Sequence, residues 1–267
     1  AGYRQSKGVT AEVLEAQSWL ARGALAEKNL DGAESYAVKT HEEALEMLKS
    51  RRLDDDNSLP IALGAAIEVQ AQVLGARGER SAAVAFLQGE LKTYWGTSIR
   101  TRIQKNLNLL TLEGRPAPPL DMEAWLGARP APIEQLRGRP LLIFFWAHWC
   151  PDCKNQAPIL ARLEREFGPR GLTLIGPTQT YGYTVRGQAA ARDAELAYIE
   201  EIRGKFYGEL TTMTVPVSEE NFRVYGASTT PTLVLVDRKG IPLSNGVYYL
   251  RLVSGNAVST GKLVVLR

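Results

Sequence analysis

Cysteine is scarce in this chain, with two residues in 267. Both stand in one run, Cys150-Pro151-Asp152-Cys153. That excludes a framework of structural disulfides and leaves a redox pair or half a metal site. Histidine is equally sparse; His41 falls in a helical stretch with no second ligand in view and reads as a surface residue. Charge of one sign is not concentrated. The formal net charge is +3, and no Lys/Arg stripe interleaves with aromatics, which argues against nucleic acid as a partner. No uninterrupted apolar run approaches the ~20 residues of a bilayer span. The longest, Leu141 to Trp146, has the length of a buried strand, so the supplied chain is expected not to span a membrane. It opens at Ala1-Gly2-Tyr3 with no initiator Met, and the expectation is a removed leader or a fragment.

What is present is the balance of a globular protein: 45% hydrophobic and 23% charged residues, in a length that suits two domains. Apolar residues recur at helical spacing from Ala11 to Glu27, Ala33 to Leu48, Leu59 to Leu74 and Ser81 to Tyr94. The turn-plus-helix stretch Asn29-Leu30-Asp31-Gly32-Ala33-Glu34 recurs in character at Arg77-Gly78-Glu79-Arg80-Ser81-Ala82. With Trp19-Leu20-Ala21-Arg22-Gly23-Ala24 ahead of it, this resembles a degenerate tetratricopeptide repeat, stacked because no helical pair buries its apolar face alone. Two readings stay open for this part, a surface for a protein partner or a packed spacer.

Arg115-Pro116-Ala117-Pro118-Pro119 ends the helical part, since consecutive prolines favour extended chain. Strands at Leu141–Trp146, Leu172–Gly176, Leu233–Val236 and Val247–Val253 then alternate with helices at Pro151–Phe167 and Gln188–Tyr207. A helix is also expected to begin near Glu219. This is an α/β pattern, a central sheet flanked by helices, behind an all-α domain. The expected division is 1–114 helical, 115–240 α/β, and 241–267 a hairpin that completes or extends the sheet.

Cys150 directly follows an apolar strand, and Pro151 suits the first helical position because its missing N–H would be unsatisfied there anyway. A cysteine at a helix N-terminus is favoured as thiolate. An exposed attacker at Cys150, with a more buried Cys153 one turn later, is the arrangement disulfide exchange needs.

The run from Leu136-Arg137-Gly138-Arg139 through Phe145-Trp146-Ala147-His148-Trp149-Cys150-Pro151-Asp152-Cys153 resembles the TlpA-like thiol–disulfide oxidoreductases of the thioredoxin superfamily. Pro158 matches their helix-kinking proline. Tyr225 to Gly240, with Thr229-Thr230-Pro231-Thr232, resembles their cis-proline segment. The resemblance covers roughly Pro116 to Gly240. It implies a thioredoxin-like fold and a cis Thr230–Pro231 bond lying against the cysteines. It further implies Cys150, Cys153 and Pro231 as the catalytic set, with Trp149, Pro151 and Thr230 on the substrate side. The expected activity is reduction of protein disulfides, with no cofactor beyond the Cys150–Cys153 pair. An upstream dithiol would donate the electrons, and the location would be extracytoplasmic, periplasmic or exported.

Three departures stand out. Phe144 occupies the place of the buried thioredoxin Asp, and Gln156 the place of a common Glu, so the usual proton acceptor for the resolving thiol is missing from both. Asp152, His148 or solvent must serve instead, or resolution is slow, and these two residues with Gln156 are modulating candidates. His148 itself reads as a surface residue beside the site. Lastly, the C-terminus reads as two strands around Ser254-Gly255-Asn256 rather than a closing helix. It is similar to the last hairpin of Bacteroidetes-type secretion sorting domains, although an added hairpin on the sheet is the simpler reading. Two other functions stay open: copper handling through Cys150, Cys153 and His148, and a helical-repeat scaffold with a vestigial redox site.

Overall fold

The computed structural model describes residues 8–111, 115–243, 246–254 and 257–265, the last two segments as backbone only. The opening Ala1-Gly2-Tyr3, the Glu113 end of the helical part and the Gly255-Asn256 turn lie outside the described residues. The chain divides into two compact units, Ala1–Thr111 and Leu112–Arg267.

Among the described residues the first unit has five α-helices: α1 (Ala11–Ala26), α2 (Leu30–Leu48), α3 (Ser58–Ala76), α4 (Arg80–Thr93) and α5 (Arg100–Thr111). Side chains set several starts. Thr10 Oγ1 accepts the Val13 N–H, and Asn29 Oδ1 accepts the Gly32 N–H at 3.0 Å. The Asn29 cap starts α2 at Leu30, three residues before the expected Ala33. The turns after α1 and α3 share one hydrogen-bond pattern. Asn29 N–H donates to Ala24 O and Glu79 N–H to Leu74 O, both at 2.9 Å, each across a left-handed residue, Lys28 or Gly78. This turn recurs at a spacing of fifty positions, longer than the ~34 of a standard tetratricopeptide repeat.

α3 is the centre of this unit and packs against α1, α2, α4 and α5. Leu59, Ala62, Leu63, Ala65, Ala66, Ile67 and Val69 are all buried. By length and composition α3 is apolar enough to cross a membrane, and 56% of that window is buried in the structure. Its sequence holds no unbroken apolar run of that length, because Glu68, Gln70 and Gln72 interrupt it. Glu68 accepts from Arg102 Nε at 2.8 Å and Lys105 Nζ at 2.6 Å, tying α3 to α5. Burial pushes the Glu68 carboxyl upward, but the two cations outweigh it and hold it below the usual carboxylate range. His41 is not a surface residue. Its ring is 12% exposed, 3.0 Å from Gln70 Nε2 and 3.8 Å from Glu90.

The second unit is built on β2 (Leu141–Phe145), whose five residues are all buried. It pairs in parallel with β3 (Thr173–Ile175) and antiparallel with β5 (Thr232–Val236), Leu141 facing Thr173 on one side and Val236 on the other. Beyond β3, Gly176 N–H donates to Thr214 O and Thr178 N–H to Pro216 O, which brings up β4 (Val215–Pro216); β1 (Trp125–Leu126) pairs antiparallel with β4. Helices α6 (Pro151–Phe167), α7 (Arg192–Tyr207) and α8 (Glu219–Tyr225) complete the unit.

Alternate residues of β2 feed two cores. Leu142 and Phe144 pack with α6 and α7 residues, whereas Leu141, Ile143 and Phe145 pack with Phe222 and Tyr225 of α8. A mixed sheet carrying two distinct helix-covered cores is the thioredoxin-like arrangement expected from the resemblance. α7 begins four residues later than the expected Gln188, because residues 185–187 form a separate turn with Arg186 and Gly187 at positive φ. The C-terminal strands β6 (Gly246–Ser254) and β7 (Ala257–Val265) pair with each other as a separate two-stranded sheet. The expectation that they extend the central sheet is therefore corrected: among the described residues neither joins β5 or β3.

Candidate active site

β2 ends at Phe145, and the next five residues carry the chain to the start of α6. Trp146 anchors this crossing: its indole N–H donates to Gly176 O at 2.9 Å, and its carbonyl accepts from the Thr178 hydroxyl at 2.9 Å. Cys150 is then the N-cap of α6, with Pro151 and exposed Asp152 in the first turn. Cys150 Sγ accepts the Cys153 backbone N–H at 3.1 Å, so the sulfur takes a role usually filled by a side-chain oxygen. Cys150 and Cys153 are joined as a disulfide with their Cα atoms 5.3 Å apart.

The expectation of an exposed attacker is corrected, because Cys150 is only 2% exposed and Cys153 fully buried. Both belong to the apolar cluster that contains Trp146, Leu160 and Tyr207. Trp149, immediately before Cys150, is instead 45% exposed. The Thr230–Pro231 peptide is cis. Thr232 Oγ1 donates to Thr229 O at 2.7 Å across this segment, and Thr230 Oγ1 is buried with no hydrogen-bond partner.

The positions lacking a carboxylate are filled differently. Phe144 is wholly buried and faces the Tyr207 ring at 6.0 Å; Gln156 is half-buried on α6. The buried carboxylate near the motif is one the sequence motifs do not mark. It is Glu195, from the first turn of α7, 0% exposed and 3.2 Å from His148 Nε2. His148 is accordingly not a surface residue; it is 1% exposed and ringed by Tyr181, Tyr183 and Tyr198. Burial holds the His148 pKa below the ordinary histidine value, against the opposing pull of Glu195. Burial also pushes the Tyr181 hydroxyl up to about 12. Tyr181-Gly182-Tyr183 lies beside the motif, with the Tyr181 ring 5.6 Å from Trp149.

Among the described residues no three His, Cys, Asp or Glu side chains gather as a metal site. The copper reading's set of Cys150, Cys153 and His148 is thus not assembled here.

Residues 114–241 match the AhpC/TSA family model, and this segment is a thioredoxin-like domain of that kind. Thioredoxin-like protein YneN of Bacillus subtilis is 22% identical over 48% of this chain and 68% of its own length. The thiol:disulfide interchange protein DsbE of Pseudomonas aeruginosa is 27% identical over 49% of this chain and 63% of its own. That of Pseudomonas fluorescens is 26% identical over 48% and 62%. The chain thus spans less than two thirds of the two DsbE relatives. A solved thiol:disulfide interchange protein from Chlorobium tepidum is 19% identical, covers 48% of this chain and 82% of that one, and superposes with a TM-score of 0.38. Over residues 114–241 the second unit is thus similar in sequence to thiol:disulfide interchange proteins.

Proposed function

We propose that this chain reduces protein disulfides by dithiol exchange, Cys150 attacking and Cys153 resolving. The observation that carries the reading is the Cys150–Cys153 disulfide at the start of α6, with Cys150 Sγ as the helix cap. Free N–H groups and the positive end of the helix dipole favour a thiolate there. In the reduced protein, the Cys150 thiolate attacks one sulfur of a substrate disulfide and expels the other as a thiolate. The Cys153 thiolate then attacks Cys150 Sγ, expels the second substrate sulfur and restores the internal disulfide. The substrate gains two electrons, and an upstream dithiol returns them to the pair. No bound cofactor enters this cycle.

Thr230 and cis-Pro231 are assigned to the substrate backbone, with Trp149 and Pro151 at the rim. The helical unit, with Trp19 and Leu20 more than half exposed, is assigned to a protein partner, and the location is extracytoplasmic. A 1–114 helical domain, a 115–240 redox domain and the C-terminal hairpin are the functional parts of this reading.

Cys150→Ser is expected to abolish disulfide reduction, and Cys153→Ser to accumulate a mixed disulfide resolved by non-reducing gel and mass spectrometry. Turnover in Cys153→Ser, with Cys150 slow to alkylate, would reverse the assignment. A reduction potential nearer −270 mV than −120 mV supports the reducing direction.

A further inference from the structure

Between β3 and α7 the chain makes a connection that the dithiol motif does not call for. One Glu195 carboxylate oxygen accepts the Tyr181 backbone N–H at 2.6 Å and lies 3.2 Å from His148 Nε2; the other accepts the Gly182 N–H at 2.8 Å. A fully buried carboxylate is costly unless its lone pairs are met, and here each oxygen has donors. Because a carboxylate only accepts, a neutral His148 carries its proton on Nε2. The imidazole is then held edge-on to Tyr181 at 5.6 Å, Tyr183 at 5.4 Å and Tyr198 at 5.4 Å. Tyr181 in turn stands edge-on to Trp149, also at 5.6 Å, and packs against the cluster that contains Cys150 and Cys153. A single side chain of α7 thus fixes both the residue two positions ahead of Cys150 and the corner that meets Trp149.

We infer that Glu195 is a positioning residue that sets substrate specificity: it pins the Tyr181-Gly182 corner so that Tyr181 and Trp149 form a wall along which a folded protein presents its disulfide to Cys150. The inference rests on the exchange chemistry proposed above and adds a recognition element outside the dithiol and cis-proline segments. Two adjoining aromatic rings, one of them 45% exposed, suit a disulfide flanked by a bulky apolar residue. A small disulfide makes no use of such a wall, and that difference is what can be measured.

Glu195→Gln keeps the side-chain shape but turns an amide N–H₂ toward groups that are themselves donors. With a disulfide-bonded protein substrate, KM is expected to rise about tenfold while kcat falls less than about threefold. The rate with oxidised glutathione should fall less than about threefold. Tyr181→Ala, which leaves Glu195 in place, should show the same split and decides the matter if Glu195→Gln does not fold. His148→Gln still offers an N–H to Glu195 and should keep KM near the parent value, whereas His148→Leu should not. Equal losses on protein and small disulfide, or an unchanged KM in Tyr181→Ala, would overturn the inference while leaving the exchange reading intact. A parent protein that reduces neither disulfide would fell both.

Discussion

Trp146 Nε1 donates to the Gly176 carbonyl at 2.9 Å, joining the end of β2 to the end of β3 from within the apolar cluster that holds the dithiol. Trp146 is fully buried, so the bond is made where water cannot replace it. Trp146→Phe leaves Gly176 O without this donor and removes part of the ring that packs on Tyr207 at 4.7 Å. The expected loss is about 2 kcal/mol, measured by denaturant unfolding followed in the near-UV. A loss under ~0.5 kcal/mol would show that the carbonyl finds another donor.

Lys28 sits at φ 62° in the turn after α1, where the corresponding residue after α3 is Gly78 at φ 83°. A side chain in the left-handed region is disfavoured, and glycine is not. Lys28→Gly is therefore expected to stabilise the helical unit by roughly 0.5–1 kcal/mol, whereas Gly78→Ala should destabilise it by about 1 kcal/mol. Thermal melts of the two variants check both signs.

Burial depresses the pKa of His148 and of His41 below the ordinary value of 6.5. Between the depressed folded value and the ordinary one, the unfolded chain binds more protons, so stability rises with pH through that window. The contribution is fully present above about pH 6.5 and is lost as the solution is acidified. Urea midpoints at pH 7 and pH 5 should differ in that direction, and the difference should shrink in His148→Gln. An unchanged slope in that variant would mean His148 does not titrate below its ordinary range.

Gln156 stands half-buried on α6, at the place where the resembled family commonly keeps a Glu. Gln156→Glu supplies a group able to accept the Cys153 proton. Decay of the mixed disulfide is expected to accelerate on the order of 10-fold near neutral pH, well below the ~10²–10⁴ range of general acid–base catalysis, with little change in the first attack. Superimposable pH–rate profiles would show that position 156 lies off the proton path.

The local signals in the sequence were enough for much of the second unit. Pro151 after an apolar strand marks the start of α6, and the helix runs Pro151–Phe167 as expected. The cis-proline segment was legible only through resemblance. α5 was not singled out, because its buried side is carried partly by Arg100, Asn106 and Asn108 rather than an apolar stripe. The largest omission concerns His148. Its partner Glu195 lies 47 residues away on another element, and a lone His next to a redox motif carries no sign of such a pairing. Helical periodicity describes which face of α7 is apolar; it does not say that the face carries one carboxylate closing a loop.

In the proposed exchange Cys150 Sγ is at once the reacting atom and the acceptor of the Cys153 N–H in the first turn of α6, at 3.1 Å. That amide therefore senses the sulfur directly. As Cys150 passes from internal disulfide to thiolate to mixed disulfide, the charge its N–H faces changes at each stage. The Cys153 amide resonance becomes a built-in meter of the proposed cycle, readable in nitrogen-15-enriched protein without any attached probe.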